Sequence, residues 1–307
     1  MSSESRSDKN HLMESWVQSE RVRVFDTAMM GLDGFTDVFL IEGESPVLVD
    51  AGTVESGPRL VAWLRRHGIV PRYVVVTHAH HDHVGGIHAI LSEFGDVVEV
   101  LASPVGVDRL RDPDLANRLY ASDPIVPVLR VRAVKDGEDV NTGDSFLRFH
   151  LTPGHSDDSL SVHDRASDTL FVGDLLGDWL WGDTYLPPVA SEDFDERAML
   201  ESVREMARVG SRRLALSHGG MFDGEAASNL IGEQTERYER WREALVGAYL
   251  RRRHEGDVAA CVKDFLAGSR FASLPHWEIV AGAFAAWCLV GYRNAGLISD
   301  PEGVRGG

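Results

Sequence analysis

The chain has 307 residues, of which 43% are hydrophobic, which is enough for one large globular domain or for one domain with a substantial appendage. Acidic residues outnumber basic residues 48 to 31, and the formal net charge is -17. This acidic balance argues against nucleic acids and anionic membrane surfaces as partners, and it favours a small-molecule ligand.

Residues 1–20 begin "MSSESRSDKN", and they lack the apolar segment of a secretion signal. They predict a flexible tail and a cytoplasmic protein. The longest apolar run, at 279–292, is shorter than the roughly 20 residues that a membrane-spanning helix needs, so it predicts a buried helix. Cys261 and Cys288 are isolated from each other and lack C-x-x-C spacing, which predicts small buried hydrophobic residues rather than reactive thiols.

The first part of the chain predicts alternating strands and helices. Short β-branched or alternating stretches at 21–27, 37–43 and 46–52 are separated by turn residues, and they predict strands of one sheet. Apolar residues at helical spacing predict a helix at 57–68, and the strand "RYVVVTH" follows it. A β-α-β pattern of this kind continues from 86 to 152.

Strands are also predicted at "LSVHD" and "TLFVGD", followed by a helix at 193–208 and the strand "RLALSHGG". After Phe222 the sequence has only helical patterns, including a long charged amphipathic run. We therefore predict an α/β domain at 21–222 and a helical C-terminal extension at 223–307.

Residues 77–86 read "THAHHDHVGG" and place several metal-ligand side chains directly after a predicted strand. Further histidines and aspartates follow other strands, where loops from distant segments converge. Imidazole and carboxylate groups bind borderline divalent ions. The candidate ligands are His78, His80, Asp82, His83, His155, Asp174 and His218.

A lone histidine after a strand is more often structural than a metal ligand, but several clustered ionisable groups cannot be buried cheaply without a partner. The cluster therefore favours metal binding over a solvated polar loop. We expect His81 to face solvent, and we interpret His88, His150, His163 and His254 as structural.

These motifs resemble the metallo-β-lactamase superfamily. The matching features are H-x-H-x-D-H at 78–83, Gly-His at 154–155, Gly-Asp at 173–174 and Ser-His at 217–218, all in the family's order. Asp50 of "LVDAG" also falls where that family carries an aspartate. The resemblance covers about residues 36–220, and it implies an α/β fold, a four-layer αββα sandwich with metals at one edge of its two sheets.

The resemblance also implies a ligand set for two divalent ions. One ion would take His78, His80 and His155, and the other would take Asp82, His83 and His218, with Asp174 bridging them. Asp50 would orient a ligand histidine or the metal-bound water. Zinc is the first choice of metal, with iron and manganese as alternatives.

Two such ions lower the pKa of a shared water to about 7, and the resulting bridging hydroxide can attack a carbonyl. Asp82 and Asp174 are the carboxylates expected to take part in catalysis. The bridging position of Asp174 resembles that of thioesterases, lactonases, phosphodiesterases and ribonucleases rather than β-lactam hydrolases. We therefore expect hydrolysis of a small ester or thioester, with a lactone as a variant.

Substrate contacts are expected in two places. "LLGDWLWGDTYLPP" carries Trp179, Trp181 and Tyr185 without a basic residue, which favours an apolar or aromatic acyl group over the glutathione used by glyoxalase II-type thioesterases; core packing is an equal alternative. His276 would face the substrate if the last helices fold over the metals, and otherwise it begins a helix in solvent. A homodimer is left open.

Three other functions fit the same residues. A phosphodiesterase or ribonuclease would use the same two metals. A persulfide dioxygenase-like enzyme would keep one iron and leave most ligands of the second site idle. A metal-bearing binding protein would show no turnover.

Overall fold

The computed structural model describes residues 20–114, 117, 123–189, 192–252 and 255–299. Nearly all of the predicted tail, residues 1–19, lies outside the described residues, as does His254. Within the described ranges, none of the helices combines the length and apolar character required to cross a bilayer.

The first sheet has six strands in the order of the chain. They are β1 (Val22–Asp26), β2 (Asp37–Ile41), β3 (Val47–Val49), β4 (Tyr73–Val75), β5 (Glu99–Ala102) and β6 (Val131–Ala133). Strands β1 to β3 pair antiparallel, and β3 to β6 pair parallel. Parallel pairing needs crossover connections, and these contain α1 (Gly57–Arg66), α2 (His81–Val84), α3 (Ile87–Phe94) and α4 (Pro104–Arg111).

The second sheet also has six strands, in the order β14-β13-β10-β9-β8-β7. They are β7 (Asp139–Asn141), β8 (Phe146–Leu151), β9 (Leu160–Asp164), β10 (Thr169–Phe171), β13 (Arg213–Leu216) and β14 (Gly220–Asp223). The parallel pair β10 and β13 is connected through a separate hairpin, β11 (Asp178–Leu180) and β12 (Thr184–Leu186), and through α5 (Glu196–Val209).

Hydrophobic side chains fill the space between the two sheets and the spaces between each sheet and the helices on its outer face. Between the sheets, the rings of Phe39 and Phe171 pack edge to face with their centroids 5.4 Å apart. On the outer face of the first sheet, Leu60 of α1 and Ile87 of α3 are fully buried against it. Because helices cover the outer faces of two packed sheets, the predicted four-layer αββα fold is confirmed.

The C-terminal residues form α6 (Glu225–Arg252), α7 (Glu255–Leu266) and α8 (Trp277–Asn294). Tyr238 and Leu289 of these helices belong to the same buried cluster as Leu170 and Leu216 of the second sheet. The helices therefore complete the outer layer on that sheet. A division of the chain into domains at residue 222 stays a prediction.

Some local predictions differ from the structure. The strand expected at 213–220 ends at Leu216, and β14 begins at Gly220 after a tight turn. Gly219 and Gly220 have φ values of 139° and 83° there, a backbone region that favours glycine. The stretch after Asp174, for which no strand is predicted, contains the β11–β12 hairpin. Cys288 is buried as expected, and Cys261 is half-buried.

Candidate metal centre

The predicted ligand residues come from loops that leave neighbouring strands at one edge of the two sheets. The loop after β4 and the short helix α2 carry His78 to His83. His155 lies between β8 and β9, Asp174 follows β10, and His218 lies in the turn between β13 and β14. The structure brings all seven predicted ligand residues into adjoining groups: His78, His80, His155 and Asp174 form one, and Asp82, His83 and His218 form another.

The first group places ligand-type atoms of three histidines and one aspartate within 4.8 Å of one another. The Nε2 atom of His78 lies 2.9 Å from Nδ1 of His80, and Nε2 of His155 lies 3.1 Å from the same Nδ1 atom. Asp174 Oδ2 lies 3.7 Å from Nε2 of His78 and 3.6 Å from Nε2 of His155. These nitrogens and oxygen surround one small space.

The second group adjoins the first through the same aspartate. His218 Nε2 lies 3.2 Å from Oδ2 of Asp82. Asp174 Oδ2 lies 3.4 Å from Nε2 of His83 and 3.5 Å from Nε2 of His218. One oxygen of Asp174 therefore faces four imidazole nitrogens, two in each group.

The donor atoms in these groups fit divalent metal ions. Among the described residues, Nε2 of His83 and Oδ1 of Asp174 are buried without a hydrogen-bond partner. A buried polar atom left unpaired is unfavourable, whereas a bound cation would satisfy both atoms. Imidazole nitrogen and carboxylate oxygen together suit zinc, iron and manganese.

The remaining ring nitrogens of three histidines contact fixed acceptors outside the groups. Nδ1 of His83 lies 2.9 Å from Asp50 Oδ2, Nδ1 of His155 lies 3.2 Å from the carbonyl oxygen of Pro188, and Nδ1 of His218 lies 2.7 Å from the carbonyl oxygen of Phe35. When Nδ1 donates to such an acceptor, the lone pair of Nε2 is free to bind a metal. These contacts therefore fix both the tautomer and the orientation of each ring.

Two buried carboxylates hold the histidine loop in place. Asp50 accepts from the backbone N–H of Thr77 at 2.8 Å, and it also accepts from the Thr77 and Ser217 hydroxyls at 2.9 and 3.0 Å. Asp158 accepts from Ala79 N–H at 2.7 Å. Asp50 was predicted to support the site. Asp158 was missed, although it lies within the quoted stretch "TPGHSDDS".

Burial lowers the pKa values of some histidines in the cluster, and nearby carboxylates raise the pKa of another. Burial lowers the pKa of His155 to about 4, with the Asp174 carboxylate opposing this shift. Burial, together with the neighbouring His83 and His80, also holds the pKa of His78 well below its usual value. Burial alone would lower the pKa of His83, but Asp174, Asp82 and Asp50 raise it well above the usual value. The carboxylates thus concentrate negative charge where a cation would bind.

The expectation that His81 faces solvent is wrong. The side chain is 5% exposed, and its Nε2 atom lies 2.9 Å from the backbone oxygen of Asp123. This is a long-range contact that the local motif does not predict. His81 therefore connects the metal-ligand loop to a distant segment and belongs to neither group of ligands.

Asp178 is a candidate functional residue that sequence reasoning missed. Its carboxylate and ligand-type atoms of Asp174 and His218 lie within 4.8 Å of one another. Burial raises the pKa of Asp178 to about 7; His218 opposes this shift, whereas Asp174 and Asp82 add to it. The repeated Gly-Asp in "GDLLGD" is a local signal for it, although only the first aspartate of the repeat was predicted as a site residue.

Aromatic side chains stand beside the second group. The ring centroid of Phe35 lies 5.6 Å from that of His218 and 6.4 Å from that of Trp181. Trp181 Nε1 donates to the backbone oxygen of Asp33 at 2.9 Å. Trp181 thus neighbours the second group through Phe35, which was not among the predicted residues, and the predicted contact of Trp181 with substrate stays a prediction.

Trp179 and Tyr185 lie elsewhere on the same hairpin. They are register partners in β11 and β12, and their ring centroids are 5.1 Å apart. The Arg237 guanidinium of α6 lies 4.7 Å from the centroid of Trp179. All three line a cavity of about 220 Å³ between the hairpin and α6, whose described lining includes none of the clustered histidines. Because side chains alternate along a strand, Asp178 and Trp179 face opposite sides.

The C-terminal part of the chain reaches the hairpin through Arg270. Its guanidinium lies 4.8 Å from the ring centroid of Trp181, and its backbone N–H donates to Asp183 at 3.0 Å. His276 is exposed and precedes α8 with a φ of 59°, without capping the helix through its side chain. Arg270 is therefore a basic residue next to Trp181. A contact between His276 and the substrate stays a prediction.

A family model for the metallo-beta-lactamase superfamily matches residues 31–218. The chain belongs to this superfamily. The matched range contains every residue of the two ligand groups, and it ends at His218.

Curated relatives of the chain have two kinds of name. A "Lactamase-like protein nscB" from Trichophyton rubrum is 27% identical over 237 residues, covering 74% of this chain and 62% of the relative. A "Hydroxyacylglutathione hydrolase" from Anaeromyxobacter dehalogenans is 31% identical over 154 residues, covering 50% of each protein. The chain thus spans less than two thirds of the length of these relatives.

Solved structures with the same fold include a superfamily protein from the archaeon Sulfolobus tokodaii, with a TM-score of 0.59 and 21% identity over 73% of this chain and 87% of that one. A structure of TTHA1623 in a di-iron-bound form has a TM-score of 0.50 and 26% identity, covering 61% of this chain and 89% of that one. The first of these similarities concerns the fold alone.

Proposed function

We propose that this superfamily member is a hydrolase that binds two divalent metal ions. His78, His80 and His155 would hold one ion, and Asp82, His83 and His218 would hold the other. The observation that carries this proposal is the position of Asp174, whose Oδ2 atom lies 3.4 to 3.7 Å from imidazole nitrogens of both groups. The di-iron-bound form of TTHA1623, a protein 26% identical to this chain, supports the same interpretation.

Divalent ions bound here would lower the pKa of water to about 7 and polarise a substrate carbonyl. The chain's own residues supply the positioning. The Asp50 carboxylate and the backbone carbonyls of Pro188 and Phe35 contact the Nδ1 atoms of three imidazole rings. These rings belong to His83, His155 and His218, and the contacts hold each Nε2 atom in a fixed direction. Asp174 is only 8% exposed, which keeps bulk water away from the carboxylate between the two groups.

The substrate that we propose is a small ester or thioester, with a lactone as a variant. Phe35 and Trp181 form an aromatic wall beside His218, which suits an apolar or aromatic acyl group. Arg270 stands over Trp181 and could pair with an anionic group elsewhere on the substrate. The stretch after Asp174 has no basic residue, but Arg270 brings one to it from the C-terminal part of the chain. The name of the Anaeromyxobacter dehalogenans relative also supports a thioester.

Zinc is the metal that we propose first, with iron and manganese as alternatives, because all three accept histidine and carboxylate ligands. The formal charge of -17 supports a small-molecule substrate over a nucleic acid. A homodimer stays a prediction that the structure of one chain does not address.

The test combines metal analysis with a substrate panel. Protein purified without added metal is analysed for bound zinc, iron and manganese. It is then assayed with p-nitrophenyl esters, acyl thioesters, lactones and bis-p-nitrophenyl phosphate, before and after chelation. We expect two ions per chain and ester or thioester turnover that is lost on chelation and restored by metal.

Other results would favour the other functions. Dominant phosphodiester turnover would indicate a phosphodiesterase. A single iron per chain, with oxygen consumption on a persulfide, would indicate a dioxygenase. Two bound metals without turnover of any substrate would indicate a binding protein.

A further inference from the structure

Asp178 adds a third carboxylate to the part of the cluster that lies around His218. Its oxygen and ligand-type atoms of Asp174 and His218 all lie within 4.8 Å of one another. Asp82 Oδ2 lies 3.2 Å from Nε2 of His218, and Asp174 Oδ2 lies 3.5 Å from that atom. Three carboxylates therefore lie around the His218 imidazole, and of these only Asp174 also belongs to the group of His78, His80 and His155.

Backbone contacts fix Asp178 in this position. Gly177 N–H donates to the Asp174 carbonyl at 2.9 Å and closes a turn between the two aspartates. Trp179 N–H donates to the His218 carbonyl at 2.9 Å, which ties the next residue to the histidine turn. A Cβ atom on Gly219 would lie 2.7 Å from the Trp179 carbonyl oxygen, so the two segments are in close contact. The carboxylate is therefore held at the cluster by the fold.

A separate observation indicates that a cation belongs beside these carboxylates. His83 Nε2 and Asp174 Oδ1 are each buried without a hydrogen-bond partner among the described residues. His83 is 0% exposed, and its Nε2 atom lies 3.4 Å from Asp174 Oδ2 and 3.7 Å from Asp82 Oδ1. Mutual repulsion between the carboxylates would be relieved by a divalent ion, which also binds the free nitrogen.

The two halves of the cluster then differ in chemistry. One side offers three imidazoles from His78, His80 and His155 and shares the Asp174 carboxylate. The other side offers two imidazoles together with the carboxylates of Asp82, Asp174 and Asp178. Nitrogen-rich ligand sets suit zinc, whereas added carboxylate oxygens favour harder ions such as manganese.

We propose that Asp178 is a further carboxylate ligand for the ion held by Asp82, His83 and His218, and that this site selects a harder ion than the three-histidine site does. This proposal rests on the proposed two-metal function, because it assigns one more residue to the second ion. With Asp178 added, the second site is rich in carboxylates, and the two sites prefer different metals.

The experiment measures metal binding directly. Metal-free wild-type protein, Asp178→Asn and the control Asp183→Asn are titrated with Mn²⁺ by calorimetry and by the loss of free Mn²⁺ signal in electron paramagnetic resonance. Each protein is also titrated with Zn²⁺. Asp183 lies on the same hairpin and is exposed, and it is in neither ligand group, so its variant controls for general loss of charge.

We expect Asp178→Asn to weaken Mn²⁺ binding at one site by about tenfold or more, as for other residues that support a metal. Binding of the first Zn²⁺ equivalent should stay within about twofold of wild type, and Asp183→Asn should match wild type for both metals. Asp178→Glu, which keeps a carboxylate, should retain most of the Mn²⁺ affinity. If Asp178→Asn fails to fold, Asp178→Ala and Asp178→Glu provide the same comparison.

Unchanged Mn²⁺ affinity in Asp178→Asn, or an equal loss in Asp183→Asn, would overturn the role of Asp178 while leaving the two-metal hydrolase intact. Selective loss of Mn²⁺ binding in a protein that hydrolyses none of the esters, thioesters or lactones would support the ligand role and contradict the proposed hydrolysis. A wild-type chain that binds only one ion would overturn both.

Discussion

Oδ2 of Asp50 lies 2.9 Å from Nδ1 of His83, and both side chains are buried. The same carboxylate accepts hydrogen bonds from the N–H and hydroxyl of Thr77 and from the hydroxyl of Ser217. Asp50 therefore connects the ends of β3, β4 and β13 beneath the ligand groups. It orients the His83 ring so that Nε2 faces Asp174.

Replacing Asp50 with asparagine should weaken metal binding by about 10- to 100-fold, because an amide can no longer accept from His83, Thr77 and Ser217 at once. The backbone of Asp50 has a φ of 63°, which asparagine tolerates better than most residues, so the variant should still fold. Calorimetric titration with Zn²⁺ measures the effect.

Ser217→Ala is the matched control, since it removes one donor to Asp50 and leaves the His83 contact in place. It should weaken metal binding much less than Asp50→Asn. Equal affinities for Asp50→Asn and wild type would show that His83 is held by other contacts.

The clustering of the candidate ligand residues could be predicted from the sequence because each lies in a short motif directly after a strand. His78 and Asp82 share one continuous stretch, and Asp174 follows the apolar strand that contains Leu170. Loops at strand ends converge at the edge of the sheets whatever the details of packing. Local sequence was therefore sufficient for these positions, whereas the four-layer fold was predicted from the resemblance of the motifs to the metallo-β-lactamase superfamily.

The remaining site residues depend on contacts between distant segments. Asp178 faces the cluster because β11 pairs with β12 and because Trp179 bonds to the His218 carbonyl. Phe35 reaches His218 through a loop between β1 and β2, and Arg270 reaches Trp181 from the far end of the chain. Apart from the repeated Gly-Asp that ends at Asp178, no spacing within a single stretch indicates these contacts.

Asp37 provides a stability test that is separate from metal binding. It is 1% exposed, and neither carboxylate oxygen has a hydrogen-bond partner among the described residues. Burial and the nearby Asp26 raise its pKa well above the usual value, although His218 opposes the shift. The folded protein thus binds a proton more tightly than the unfolded chain, so ionisation of Asp37 lowers stability as the pH rises above the usual pKa of aspartate.

We expect Asp37→Asn to raise the free energy of unfolding by about 1–2 kcal/mol at pH 7, because it removes a buried charge without a partner. The gain should shrink as the pH falls to the usual pKa of aspartate, where Asp37 is protonated in both states. Urea unfolding of the metal-free protein at several pH values measures this difference.

Asp26→Asn is the control, because Asp26 is the register partner of Asp37 but accepts hydrogen bonds from the N–H groups of Ala28 and Gly34. An amide has one acceptor oxygen, so this variant should be less stable than wild type. A loss of stability in both variants would mean that Asp37 has a stabilising partner.

Trp181 tests the aromatic wall. Its ring neighbours Phe35 and the Arg270 guanidinium, and its Nε1 donates to the Asp33 carbonyl. Trp181→Ala should raise KM for aromatic acyl substrates by about tenfold while leaving the metal content unchanged. Trp179→Ala is the comparison, because Trp179 faces α6, and it should affect stability more than KM. Equal KM changes in the two variants would argue against the wall.

His276 tests whether the C-terminal helices cap the site. Its side chain is exposed, so His276→Ala should leave the melting temperature and metal content nearly unchanged. If the residue faces the substrate, which is one of the two roles that the sequence leaves open, kcat/KM should fall by about tenfold, or about 1.4 kcal/mol of transition-state binding. Kinetics identical to wild type for every substrate in the panel would assign the helices a role in stability or assembly instead.

Asp174 gives the most direct test of the two-metal arrangement, because one of its oxygens faces Nε2 atoms of His78, His83, His155 and His218. Asp174→Ala should lower the number of bound ions from two to one or fewer and reduce ester or thioester turnover by about 100-fold. The fold should persist, since the backbone carbonyl of Asp174 still accepts from Gly177 and the buried apolar cluster around Leu170 is untouched.

Asp174→Asn separates charge from shape, because it keeps the size of the side chain and one acceptor oxygen. It should lose less metal than Asp174→Ala and more than the exposed control Asp183→Asn. Circular dichroism and the melting temperature of the metal-free proteins verify that folding is intact, and metal analysis with the kinetics supplies the decisive readout. Wild-type turnover and two bound ions in Asp174→Ala would remove this carboxylate from the site and leave the two ligand groups without a shared residue.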